Sequence, residues 1–251
     1  MPTARVQRHP RFSRGRDLAT SPVAALAAYA AALAYFALAG SLPDLGDRDA
    51  TAIVSGAVGM LALTACTFTL LPARDELPAL VALAAGGLLL GGALTAGGAD
   101  AGANVAKVLF AASAGMLLAA WLSLPQLVVV IPVFVAGIDI ASVLTGPTSV
   151  LLREHSPALD YLSFSIPAWG GGAEQLGVAD VIFLGFYASA AWRHGLRRTA
   201  TAAGLVLGLV AAVVAGVLTD RALPVLPALA LGLLLPNLDR LGPLLGAQDE
   251  G

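Results

Sequence analysis

The chain has 251 residues, of which 58% are hydrophobic and 12% charged, and its formal net charge at pH 7 is -2. A water-soluble domain carries about 25% charged residues, so this supply excludes a fully solvated globular fold, and the small net charge excludes a nucleic-acid-binding class. The single cysteine, Cys66, lies in an apolar run, which excludes an intramolecular disulfide and a cysteine metal cluster, while His9, His155 and His194 are scattered near segment ends rather than spaced as metal ligands.

A membrane-spanning helix needs about 20 mainly apolar residues. Eight such runs are readable, at residues 21–42, 50–71, 77–96, 104–122, 124–144, 175–192, 199–218 and 223–241. The expected fold class is therefore all-α, a polytopic transmembrane bundle of about eight spanning helices. A basic tail, residues 1–18, precedes helices one to four (residues 19–123) and helices five to eight (residues 124–241), with a tail at residues 242–251. Turn and charge signals separate most runs, such as Pro72, Arg74, Asp75 and Glu76; the fourth and fifth part only at Trp121 to Pro125. The first run ends in Ala37-Leu38-Ala39, similar to a signal-peptide cleavage site, but its length favours a retained signal anchor. Gly87 with Gly91, and Gly204 with Gly208, have the spacing that lets helix backbones approach in lipid, a spacing that chance also explains in so glycine-rich a chain.

Arginine and lysine in short loops set the orientation. Arg5, Arg8, Arg11, Arg14 and Arg16 precede the first helix, and Arg193, Arg197 and Arg198 follow the sixth. Six helices separate the two clusters, so both are expected on the cytoplasmic side, with both termini and with Arg74 and Arg240. Arg48, Lys107, Arg153 and Arg221 are expected at the outer side.

Two acidic residues stand inside apolar runs, Asp139 in the fifth and Asp180 in the sixth. A charge placed centrally in a spanning helix costs about 2.5–3.5 kcal/mol and usually marks a function. Taken alone, either residue also reads as a structural Asp bonded to neighbouring hydroxyls or backbone. Their depths agree: Asp139 lies seven residues before the outer end of its helix and Asp180 five residues after the start of its own, roughly 8–10 Å below one face. Consecutive antiparallel helices place the two carboxyls where they can meet. Such a pair shares a proton, which suits peptide hydrolysis: one member activates water and the other polarises the scissile carbonyl. The pair titrates as a unit, so neither role is assigned to one residue.

An Asp in one helix, then Leu176-Gly177-Val178-Ala179-Asp180, then Pro227-Ala228-Leu229 in the last helix resembles the presenilin and signal peptide peptidase family of intramembrane aspartyl proteases. Ile140 to Pro147, closing on Gly146-Pro147, is similar to the end of that family's first aspartate helix. The resemblance covers residues 124–241. It implies an aspartic endopeptidase with Asp139 and Asp180 as the catalytic pair. Gly177 would allow close approach to the site, and Pro227, Ala228 and Leu229 would border the pair and position substrate. It further implies transmembrane peptide or protein substrates met in the lipid bilayer, neither metal nor organic cofactor, and no nucleic-acid partner. The oligomeric state is not readable. The chain departs from the family where a Tyr before the first Asp is Ile138, where the second Gly of Gly-x-Gly-Asp is Ala179, and in having one helix fewer ahead of the pair.

Other readings remain at this point. A prepilin-peptidase-like protease shares Gly-x-Gly-Asp but predicts no Pro-Ala-Leu. A proton-coupled transporter predicts inverted repeats, and none is found in the sequence. A catalytically inactive homologue would bind membrane helices without cutting them. The long loop, residues 148–174, is rich in β-formers from Leu159 to Ile166. It reads either as an extended piece that adds to an unwound substrate or as an interfacial loop anchored by Tyr161 and Trp169.

Overall fold

A computed structural model describes residues 21–122, 124–145, 158–221 and 223–245. The basic cluster Arg5 to Arg16, His9, Gly146, Pro147, the loop residues 148–157 with Arg153 and His155, and the last six residues lie outside the described residues.

Every expected run contains a helix. α1 (Pro22–Leu38) starts at Ser21, whose hydroxyl accepts the Val23 N–H at 3.2 Å, and α2 (Arg48–Thr69) starts at Asp47, whose carboxylate accepts the Ala50 N–H at 2.7 Å. α3 (Leu77–Ala96) and α4 (Asp100–Trp121) follow, and α4 ends where the weak boundary was expected. α5 (Leu127–Thr145) carries Pro132 within it. After the short α6 (Ala158–Leu162) come two strands, then α7 (Val178–Arg193), α8 (Arg198–Thr219) and α9 (Leu226–Leu234). A 3-10 turn at Leu235–Asn237 then leads into α10 (Leu238–Leu245).

The all-α class holds, and two element bounds need correction. The architecture is an all-α bundle with a small addition: β1 (Ser163–Pro167) and β2 (Ala173–Gly177) pair antiparallel, Ser163 opposite Gly177 and Pro167 opposite Ala173. The sixth helix begins at Val178 rather than residue 175, because Gln175–Gly177 are held in β2. The last run starts at Leu226, tightens to a 3-10 turn at Leu235–Asn237, where Pro236 has no N–H to donate, and continues past residue 241 to Leu245.

Among the described residues, six helices are long and apolar enough to cross a membrane. They are Pro22–Ser41, Arg48–Ala73, Leu77–Ala96, Asp100–Trp121, Arg198–Thr219 and Leu226–Leu245. The two aspartate-bearing helices are shorter, α5 with an apolar stretch of Leu127–Val143 and α7 with 16 residues. Large apolar side chains point outward, among them Leu89 at 74% and Phe134 at 66% exposure, as on a lipid-facing surface. Several apolar helices of this kind are compatible with a multi-pass membrane protein.

Small residues set the crossings. Gly87 and Gly91 of α3 lie against Phe110, Ala106 and Lys107 of α4. Gly204 of α8 meets Gly232 of α9 backbone to backbone, and Gly208 meets the Ala228 carbonyl. Gly185 of α7 sits on the Ala112 backbone of α4, and Gly115 of α4 on Ile182 and Phe186. The core is centred on α4 and α7, where Met116, Leu184 and Phe186 are almost fully buried.

The charged groups sort to two ends. At one end Arg193 pairs with Asp75 at 3.2 Å, Arg197 pairs with Asp239 at 2.9 Å, and Arg240 donates to the Gly195 carbonyl at 2.6 Å. Arg74 joins them through its carbonyl, which accepts from Arg193. At the other end the hairpin turn reaches the α1–α2 loop, with Gly170 N–H donating to the Leu42 carbonyl at 2.7 Å. Gly170, Gly171 and Gly172 have φ of 77°, 107° and 87°, a run of left-handed residues for which glycine is suited. Arg48 and Arg221 line a cavity at this end with Glu174.

Candidate active site

α7 begins at Gly177, and its first turn carries Asp180 in the third position. The four N–H groups at a helix start have no intrahelical acceptor. Asp180 turns back and accepts the Gly177 N–H through Oδ2 at 3.1 Å, the half of a capping box that a glycine N-cap permits. Asp180 is buried, at 8% exposure, and Ala179 beside it is exposed.

Asp139 reaches the site from α5. Its carboxylate accepts the Leu226 N–H at 2.9 Å and the Val225 N–H as well. These are free donors at the start of α9, and Pro227, which has no N–H, follows directly. Each carboxyl thus sits at the positive end of a helix, Asp180 on α7 and Asp139 on α9, where negative charge is stabilised. The two carboxyls are near enough for their charges to act on each other.

Asp139, Asp180, Gly177 and the start of α9 at Pro227 therefore come together. Ala228 and Leu229 do not face the pair in the same way: the Ala228 backbone lies against Gly208 of α8, and Leu229 is fully buried in the core. Ile138 is 51% exposed, so the residue preceding Asp139 points away from the site.

A cavity of about 620 Å³ opens beside the start of α9, and neither Asp139 nor Asp180 is among the residues that line it. Val225, a donor to Asp139, lines it, as does Leu176, which precedes Gly177. Leu209 and Val213 of α8 form an apolar wall, and Arg48, Glu174 and Arg221 line its charged part. Burial pushes the Glu174 carboxyl above the usual carboxylate range. β2 borders this cavity through Glu174, Gln175 and Leu176, and among the described residues its edge away from β1 has no partner strand.

The hairpin is tied to the bundle by polar residues of α4. Asn104 accepts the Ser165 N–H at 3.1 Å and donates to the Ser165 carbonyl, while buried Lys107 donates to the Asp160 and Ser163 carbonyls. Sequence reasoning assigned these two residues no such part. A signal was present: Asn104 and Lys107 are one helical turn apart, on one face of an otherwise apolar run. Tyr187, two turns beyond Asp180 on α7, was also passed over; it is fully buried beside Phe183 and Phe186. Among the described residues no group of three or more His, Cys, Asp and Glu side chains gathers as a metal site. Comparison with protein-family models, with curated proteins and with solved structures found no match.

Proposed function

We propose that the chain is an intramembrane aspartyl endopeptidase that hydrolyses peptide bonds within transmembrane segments. One observation supports the reading: the carboxyls of two bundle helices, Asp180 of α7 and Asp139 of α5, cap the starts of α7 and α9. Such a pair holds one proton. The ionised member takes a proton from water as the water oxygen bonds to the scissile carbonyl carbon, and the protonated member gives its proton to the carbonyl oxygen. Collapse of that intermediate returns the carbonyl, breaks the C–N bond and delivers a proton to the leaving amine, restoring the pair. The helix starts stabilise the ionised member throughout.

In this reading α5 and α7 also span, giving eight crossings of the cell membrane, with both termini cytoplasmic and the carboxyl pair in the outer half. The 620 Å³ cavity receives the substrate, which must unwind before a peptide bond is accessible, and the free edge of β2 offers it a strand partner. Preferred substrates are signal-peptide-like helices with a cytoplasmic N-terminus, because a chiral site accepts the backbone in one sense.

The test is cleavage of a panel of helical membrane substrates by purified, reconstituted protein, with Asp139→Asn and Asp180→Asn variants alongside. Each Asn variant is expected to insert and fold but to cut nothing; full activity in either one rules the pair out. The capping bonds of Asp139 and Asp180 also suit a homologue that binds membrane helices without cutting, and wild-type protein inert on every substrate that it binds selects that reading.

A further inference from the structure

One face of the hairpin is apolar except at a single position. Opposed residues of an antiparallel pair share a face, and every second residue along a strand returns to it. Phe164 stands opposite Leu176 and Ile166 opposite Glu174, so these four side chains form one face. Phe164, Ile166 and Leu176 are almost fully buried. The face rests on α2, with Ile166 against Gly59 and Glu174 against Gly56. A Cβ at Gly56 would lie 3.3 Å from Glu174 Oε2 and 2.8 Å from Val213 of α8, so this glycine opens the seat that the carboxyl occupies.

An apolar residue at position 174 would complete the packing. Glu174 instead brings a carboxyl that has neither a hydrogen bond nor an ion pair among the described residues. A carboxylate drawn out of water is normally paired. This one opens on the 620 Å³ cavity, whose other charged lining residues, Arg48, Asp49, Asp220 and Arg221, are all exposed. Glu174 is thus the charged group that the cavity holds below its mouth.

The strand fixes where that group meets a peptide. Glu174 precedes by three residues Gly177, whose N–H binds Asp180, a span of about 10 Å along a strand. A peptide paired to the open edge of β2 rises at the same rate, so its residue beside Glu174 lies three places from its residue beside Gly177. Side chains opposed across paired strands share a face, which directs that residue at the carboxyl. Glu174 lies on the hairpin-turn side of Gly177, while α7 runs from Gly177 to the end where Arg193 pairs with Asp75. For a substrate with a cytoplasmic N-terminus, the residue beside Glu174 is therefore on the C-terminal side of the cut.

We propose that Glu174 is a specificity-determining residue, whose carboxyl takes a lysine or arginine side chain three residues to the C-terminal side of the scissile bond. This rests on the protease reading, but the binding that it describes needs no turnover. A charge pair with a partly desolvated carboxylate lowers Kd about five- to tenfold.

The test walks a lysine, residue by residue, through the outer half of a reporter helix, with methionine and glutamate at the same positions for comparison. Binding to reconstituted protein is measured in the Asp139→Asn background, and the cut is mapped separately with wild type. One position is expected at which lysine binds about five- to tenfold tighter than methionine and glutamate binds weaker, three residues beyond the cut. Glu174→Gln and Glu174→Met, the second of which completes the apolar face, should each bring the lysine-to-methionine ratio at that position to about one. Binding of no peptide, a gain equal at all positions, a preferred position elsewhere relative to the cut, or a ratio that survives both substitutions overturns the proposal. Loss of folding in both variants overturns it too, since Glu174 is then structural. Wild type that cuts nothing sinks the protease reading alone; the position-specific binding ratio still decides the role of Glu174.

Discussion

Replacing Gly177 with alanine separates the geometry of the carboxyl pair from the fold that carries it. Gly177 has φ -64° and ψ 140°, open to any L-residue, so the backbone is not strained by a side chain. The added Cβ would lie 3.1 Å from Asp180 Oδ2, closer than ordinary contact, and the carboxylate must give way by a few tenths of an ångström. The bond it accepts from the Gly177 N–H is then strained or lost. For stability two small effects oppose each other. Restricting the unfolded chain favours alanine by about 0.4–1 kcal/mol, and the poorer N-cap disfavours it by about as much. The net change is within about 1 kcal/mol. For catalysis, a hydrogen bond to a charged group is worth about 1.5–3 kcal/mol, and each 1.36 kcal/mol is tenfold in rate, so kcat falls about ten- to a hundredfold. The assay is cleavage of a reporter helix in liposomes beside thermal unfolding of the same sample. Full activity in Gly177→Ala refutes the argument that this glycine makes room for Asp180, and a large loss of stability refutes the argument that its role is local to the pair.

The remaining expectations concern the supports of the site. Asp139→Ala removes the cap of α9 and should destabilise the protein by about 1 kcal/mol more than Asp139→Asn, which keeps an acceptor for Leu226; equal unfolding midpoints contradict the capping bond. Lys107→Met keeps the apolar stem but leaves the Asp160 and Ser163 carbonyls short of a donor, at a cost of about 1–3 kcal/mol, and should speed amide exchange in β1; unchanged exchange means that α4 does not hold the hairpin. Glu174 has its folded pKa raised by burial, so its contribution to stability is complete below the ordinary carboxylate pKa and is lost as pH rises through the raised folded value. Glu174→Gln should flatten the unfolding midpoint against pH in that window, and an unaltered slope argues against the burial. Paired reporters with one transmembrane segment in opposite orientations should be cut preferentially with the N-terminus cytoplasmic; equal cleavage refutes the orientation.

The helices were legible because lipid leaves little choice: a backbone without water must bond to itself over about 20 residues, and the runs show it. Charge placement was legible for the same reason, and Arg74, Arg193, Arg197 and Arg240 do gather at one end of the bundle. Counting residues put Asp139 and Asp180 at one depth, but not at the starts of α9 and α7, which they cap. The hairpin was half visible, as β-formers and three glycines, but its partner strand lies in residues that also read as the start of an apolar helix. Only pairing with β1, itself held by Asn104 and Lys107 from 61 and 56 residues away in sequence, keeps Gln175–Gly177 extended. The crossing of Gly115 and Gly185 left no periodic mark, since each glycine acts alone on its helix. Tyr187 reads in sequence as one more apolar residue, and its stranded hydroxyl exists only once α7 is packed.

β2 lines the cavity through Glu174, Gln175 and Leu176, and among the described residues its edge away from β1 has no partner strand. Backbone N–H and C=O groups facing hydrocarbon without partners are costly, so that edge is tolerable only while the cavity holds water or a peptide. Under the proposed reading, wetness is then a condition of the fold as well as of hydrolysis. An acyl chain or detergent tail lodged there would strip the strand of its solvent and displace the reactant at once. If the proposed activity holds, the choice of lipid or detergent acts on this protein as an inhibitor does, by occupancy of one small space.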